Sequence, residues 1–152
     1  MKAVIQRVKR TQVTANGQYR GQIDFGLLVL LGVGKDDTES EAKWMADKIR
    51  KMRIFSDENG KMNLSVQDIG GGIAVVSNFT LYANATHGNR PDFFHAAPPA
   101  LAEHLYNVFL SAIAIDGIPT VSGIFGADMQ MDTVCDGPVT IILDPADIKK
   151  GK

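Results

Sequence analysis

The chain has 152 residues, enough to bury the core of one domain but not to divide into two. Its 45% hydrophobic and 22% charged residues exclude disorder as the main reading. A formal net charge of -1 argues against extended nucleic-acid binding, which takes a strong basic excess, so no DNA partner is expected, while contact with one RNA end stays open.

The single Cys135 cannot form an internal disulfide, and the opening MKAVIQRV lacks the apolar core of a secretion signal, so a reducing, cytoplasmic setting is expected. No apolar run reaches the roughly 18 residues of a membrane span, and no membrane role is expected.

Ala3 to Val8 alternates apolar and polar residues, and Thr11 to Thr14 continues as strand to Asn16-Gly17, a two-residue hairpin signal from which Gln18 to Ile23 returns antiparallel. Leu27 to Val33 is apolar on both faces and reads as a central strand covered on both sides. Gly32 and Gly34 resemble a phosphate loop only superficially, because no Lys-Ser or Lys-Thr pair follows at the required spacing. Thr38-Glu39-Ser40-Glu41 fits a capping box. It opens an amphipathic helix with Ala42, Met45, Ala46, Ile49 and Met52 on one face and Lys43, Lys48, Arg50 and Lys51 on a solvated face. Ile54-Phe55, the turn Asp57 to Gly60 and Lys61 to Leu64 form a short hairpin, and Gly70-Gly71-Gly72 leads into the next apolar run.

That run, Ile73 to Ala83, reads as a buried strand that breaks at Ser77-Asn78 and sets hydroxyl and amide groups at a strand end. Asn84 to Pro99 has no period and reads as a long, functional loop. Pro98-Pro99 starts a second helix with a stripe of Leu101, Leu105, Val108, Phe109 and Ala112, stopped at Asp116-Gly117. Strands are expected at Thr120 to Phe125, Met129 to Val134 and Val139 to Leu143, and the polar tail Asp144 to Lys152 is expected to fray. The pattern predicts one β-rich α/β domain over 1–152, with antiparallel and mixed sheets covered by two main helices.

Conventional chemistry finds little support. His87, His95, His104 and Cys135 lack zinc-site spacing, so neither metal nor cofactor is expected. No Gly-x-Ser-x-Gly elbow is present, and Cys135 reads as a small packed residue. The strand end offers Phe79 and Thr80 backbone N–H groups as an oxyanion hole and a Thr80 hydroxyl. Near the C-terminus, Gly137-Pro138 before Val139-Thr140 would let backbone carbonyls approach a ligand closely, through a bond that can be cis.

Ser77-Asn78-Phe79-Thr80-Leu81 and Gly137-Pro138-Val139-Thr140 resemble the two signature motifs of the D-aminoacyl-tRNA deacylases. Ile5 to Val8, Leu27 to Val33, Arg53 to Asp57, Gly60 to Leu64, Gly88 to Pro91 and Ala127 to Gln130 are similar to further family segments in the same order. The resemblance implies that family's fold, a homodimer, and hydrolysis of the ester joining a D-amino acid to the terminal adenosine of tRNA. It implies a site combining Ser77, Asn78, Phe79 and Thr80 of one subunit with a cis Gly137-Pro138 of the other, the partner being the aminoacylated 3′ end of tRNA. It assigns Gly137-Pro138 the chiral filter, Arg7 the task of holding that motif, Phe79 and Thr80 the substrate and its oxyanion, and Phe125 and Met129 the adenosine pocket. The family's usual Gln is Asn78 here, which keeps the amide and shortens its reach by about 1.5 Å.

An aminoacyl ester is already reactive, and the neighbouring ribose 2′-hydroxyl can help activate water, so positioning and oxyanion stabilisation suffice in principle. A steric filter built from carbonyl oxygens rejects L side chains but has nothing to reject in glycine, so glycine mischarged on tRNA(Ala) is expected to pass as substrate. Two alternatives remain at this point: a non-catalytic aminoacyl-tRNA or RNA-end binding module, and a small-ester hydrolase using Thr80 or Cys135.

Overall fold

Strand β1 (Lys2–Ala15) is the spine, and its side-chain alternation changes phase partway along. Ala3 and Ile5 point into one apolar cluster, whereas Val8 and Val13 point into another. The change of phase coincides with two irregularities in the pairing of β1, between Gln6 and Val8 and between Val8 and Arg10. The computed structural model describes residues 1–145, so most of the expected frayed tail, 146–152, lies outside the described residues.

At the end of β1, Asn16 and Gly17 both take positive φ, 49° and 75°, as the tight hairpin turn requires, and β2 (Gln18–Ile23) returns antiparallel. Strand β3 (Gly26–Gly32) pairs antiparallel with Lys2 to Val8 of β1 and parallel with β6 (Gly72–Ser77), which in turn pairs parallel with β7 (Thr120–Ser122). Such parallel neighbours need crossovers, and helices α1 (Glu39–Arg50) and α2 (Pro99–Ile113) lie within the two connections. Strands β4 (Phe55–Ser56) and β5 (Met62–Leu64) form a small separate hairpin. Strand β8 (Met129–Leu143) runs along the free side of β1, completing a sheet of order β2-β1-β3-β6-β7 with β8 on β1.

The central strands are apolar on both faces because both are covered. Leu27, Val29, Leu31, Ile73 and Val75 pack under the two helices, while Leu28, Ala74 and Val76 join Val8, Val13 and Ile23 on the opposite face. Ile73 and Phe109 are among the largest side chains wholly removed from water, each worth about 2–3 kcal/mol of burial.

Several expectations are corrected. The two C-terminal strands are one strand, β8, with Gly137-Pro138 inside it. The strand expected to reach Phe125 stops at Ser122, because the chain turns at Gly126, with φ 75°, and an N–H of Ala127 donates to Ile124 O at 3.2 Å. Helix α2 is rotated relative to its expected stripe. Ala102, Leu105, Tyr106, Phe109 and Ile113 are its buried residues, since the Tyr106 hydroxyl finds an acceptor, Val75 O, at 3.1 Å and its ring can go inward. Arg50, expected in solvent, is 6% exposed and bonded to Asp116 at 2.8 Å and Asp47 at 2.9 Å. Cys135, expected to be packed, is exposed, with Sγ 3.9 Å from Gln6 Oε1.

Candidate active site at the end of β6

Strand β6 delivers its last residue, Ser77, opposite Leu31, and the Asn78 N–H donates to Leu31 O at 2.8 Å. The chain then winds into a single 3-10 turn, Phe79 to Tyr82. Gly32 and Gly34 explain why it fits. A Cβ on Gly32 would stand 3.0 Å from Asn78 O, and one on Gly34 would stand 2.6 Å from the Tyr82 hydroxyl. These glycines therefore let the turn lie flat on the end of β3. Beneath it, Asp37 accepts from the Gly34 N–H at 2.6 Å, pairs with the Met1 amine and receives the Tyr82 hydroxyl at 3.4 Å. Burial, reinforced by Asp37, pushes the Tyr82 phenol well above its ordinary range, so that hydroxyl stays protonated.

A cavity of about 830 Å³ opens over this turn, and Ser77, Asn78, Phe79, Thr80, Phe125 and Met129 all line it. Six of the nine residues singled out from sequence thus meet in one place. Phe79 is exposed and packs edge-on against Phe93, ring centroids 4.9 Å apart. Phe125, in the turn before β8, lies 6.0 Å from the Tyr106 ring, so one α2 residue steadies both β6, through Val75 O, and the cavity wall. Burial pushes the Tyr106 phenol up to about 12.

The chemistry of the lining is distinctive for what the described residues bring to it. Its one ionisable side chain is Lys35; no Asp, Glu, His or Cys lines it. The Thr80 hydroxyl donates to Asn78 Oδ1, an amide oxygen that cannot take up its proton, so Thr80 has no neighbouring base to make it a nucleophile. The Phe79 and Thr80 N–H groups, the first two of the 3-10 turn, donate to no acceptor among the described residues. Two backbone donors without an acceptor thus belong to residues that line this apolar cavity, and donors of this kind can stabilise a developing oxyanion.

Gly137, Pro138 and Arg7 are elsewhere. Cys135 pairs with Val8 and Thr140 with Gln6, so five residue steps on β8 oppose two on β1, and Asp136 to Val139 loops out of the sheet. The Gly137-Pro138 peptide is cis, and both residues are exposed. Arg7 sits under this bulge. Its Nη1 donates to Ile54 O at 2.8 Å, and its Nε lies 3.1 Å from Asp136 Oδ2, a charge contact not aligned as a hydrogen bond. The motif and Arg7 are thus together, but neither lines their own chain's cavity.

The other candidates are bland. His104 Nε2 meets Glu39 Oε1 at 2.8 Å on the exposed faces of the two helices, and this contact, with Lys43, holds the Glu39 carboxyl below its usual range. Lys43 pairs with Glu39 and Lys51 with Asp47, so the basic face of α1 is largely neutralised by its own acids. Among the described residues no group of three or more His, Cys, Asp or Glu is placed to hold a metal ion, and no helix is long and apolar enough to cross a membrane. Sequence reasoning missed Lys35, Phe93 and Phe94 in the lining. The available signal was the pair of phenylalanines in the aperiodic loop before Pro98.

Comparisons with known proteins point the same way. A protein named D-aminoacyl-tRNA deacylase from Geobacter sulfurreducens is 54% identical over 144 residues, covering 95% of each chain. One of the same name from Koribacter versatilis is 53% identical, covering 95% of this chain and 97% of its own. Among solved structures, a c-Myc DNA unwinding element binding protein superposes with TM-score 0.88 at 44% identity, over 95% of this chain and 98% of that one. A probable eukaryotic D-amino acid tRNA deacylase shares the fold, with TM-score 0.79 at 15% identity, over 94% of this chain and 98% of that one. The family model described as D-Tyr-tRNA(Tyr) deacylase matches residues 4–144, and with these relatives it shows that the chain belongs to that family.

Proposed function

We propose that this protein hydrolyses the ester bond of D-aminoacyl-tRNA, releasing free D-amino acid and tRNA, as a chiral proofreading step in translation. Family membership supports the reaction class, and the observation that carries the mechanism is the cavity lining: two free backbone N–H groups and, among the described residues, no carboxylate, imidazole or thiol. In this reading the terminal adenosine lies against Phe125 and Met129, and Phe79 and Thr80 N–H groups bind the oxyanion as the ester carbonyl is attacked. Water is the nucleophile, and the ribose 2′-hydroxyl, held beside the ester, assists its deprotonation. A charged-tRNA substrate supports reading the protein as cytoplasmic.

Selection against L-amino acids is assigned to Gly137 and Pro138 of a second copy. The bulge that carries them is exposed, lies on the free edge of β8 and is absent from its own chain's cavity, which supports a homodimer with composite sites. Carbonyl oxygens at that position would fill the volume of an L side chain and leave the D direction open. Glycine, having no side chain, passes, so glycyl-tRNA(Ala) is also a substrate.

The test is a paired deacylation assay with metal-free, substoichiometric protein on D-tyrosyl-tRNA and L-tyrosyl-tRNA. Multiple turnovers on the D ester alone are expected. Release from neither would replace the enzyme with an RNA-end binder, and equal release from both would remove the chiral filter.

A further inference from the structure

The loop before α2 carries two adjacent phenylalanines with different surroundings. Phe93 is half-buried against Phe79. Phe94 is 73% exposed, although it lines the same cavity, and the Lys35 ammonium stands 4.0 Å from its ring centroid. Among the described residues Lys35 Nζ has no carboxylate partner.

This pair is built into the backbone. The Lys35 N–H donates to His95 O at 3.2 Å, the Ala97 N–H donates to Val33 O at 2.9 Å, and Gly34 forms a β-bridge with Ala96. Residues 33–35 and 95–97 are thereby laced together, and the Phe94 N–H is further tied to Asp92 Oδ1 at 3.2 Å. The lysine and the exposed ring are presented side by side at the edge of an apolar cavity.

We infer that Phe94 and Lys35 form a platform for the nucleotide preceding the terminal adenosine of the bound tRNA. The inference rests on the deacylase reading and extends it to a residue pair outside the reacting centre. With the adenosine against Phe125 and Met129, the RNA strand must leave the cavity, and the next base is single-stranded with both faces available. An exposed aromatic ring stacks such a base whatever its identity, and a lysine beside it neutralises the connecting phosphate. On binding, the ammonium exchanges its contact with the ring for one with the phosphate. In a chain of net charge -1, which has no broad basic excess, a single placed cation supplies one such phosphate contact.

The experiment compares kcat/KM on D-tyrosyl-tRNA with kcat/KM on D-tyrosyl-adenosine, an ester lacking the preceding nucleotides; the quotient is the preference for tRNA. Phe94→Ala is expected to lower this preference about tenfold and Phe94→Tyr to restore most of it, in the range of one lost base stack. Lys35→Ala is expected to lower it several-fold and to flatten its salt dependence by about 0.7 in log-log slope, as loss of one phosphate contact on a single strand does. A preference unchanged in Phe94→Ala, or loss of activity on both esters by the same factor, overturns the platform while leaving the deacylase reading intact. A wild-type protein that hydrolyses neither ester overturns the deacylase reading and the platform with it.

Discussion

The end of β6 and the bulge of β8 carry the chain's two most informative motifs and are built in opposite ways. At β6, Ser77 and Asn78 are locked to Leu31, the turn lies on two glycines, and the side chains face a cavity of the same chain. At β8, Gly137 and Pro138 stand out from an edge strand, braced from below by Arg7 and lining no part of that cavity. On the proposed reading the first is a receiving surface and the second an inserting one, so that one chain would carry both complementary halves.

The sharpest way to break this contrast is at the inserting half. Gly137 has φ 130°, a region L side chains rarely adopt, and an added Cβ would lie 2.6 Å from Val139 N and 2.9 Å from Val139 Cγ2. Gly137→Ala should lower kcat/KM on D-tyrosyl-tRNA by about 100-fold or more, with far-UV circular dichroism unchanged. Arg7→Ala removes the brace, leaving Asp136 without its cation and Ile54 O without its donor. A loss of about tenfold in activity is expected, with D-over-L discrimination weakened in the same assay.

Two changes at the receiving half should be milder. Tyr106→Phe deletes the bond to Val75 O and should cost about 1 kcal/mol in urea unfolding. It also tests a linkage. The folded phenol titrates near 12 against an ordinary 10, so the unfolded chain ionises first. The stabilisation is complete below about pH 10 and is lost as pH rises towards 12, and Tyr106→Phe should remove that part of the slope. Thr80→Ala should change kcat by less than about threefold, because the backbone N–H survives the substitution. A thousandfold loss there would make the hydroxyl the nucleophile after all.

Much of the scaffold was legible because its signals are local. Asn16-Gly17 turned where turn chemistry required, Glu41 accepts from the Thr38 N–H at 2.9 Å as a capping box should, and β3 is central as its two apolar faces demanded. Two of the misreadings share one cause: a partner distant in sequence. Arg50 goes inward because Asp116 waits 66 residues away, and Tyr106 because Val75 supplies an acceptor. The lacing of 33–35 to 95–97 uses backbone groups, which leave no side-chain pattern, so Lys35 and Phe94 gave no sign of meeting. Six of the expected site residues were found together because a strand end and turns carry them, whereas the idea of a composite site began from the resemblance and stays a proposal.

The lining of the cavity has a pharmacological consequence. Reagents that inactivate hydrolases by capture, such as fluorophosphonates, epoxides and alkylating amides, need an activated hydroxyl, carboxylate, imidazole or thiol at the reacting centre. Under the proposed mechanism Thr80 is unactivated and the reacting centre is otherwise main chain, with Lys35 the one ionisable side chain in the lining, so reagents of this kind should leave the protein active. Under that mechanism an inhibitor would draw its affinity from shape and from the two main-chain donors, which a side-chain substitution leaves in place.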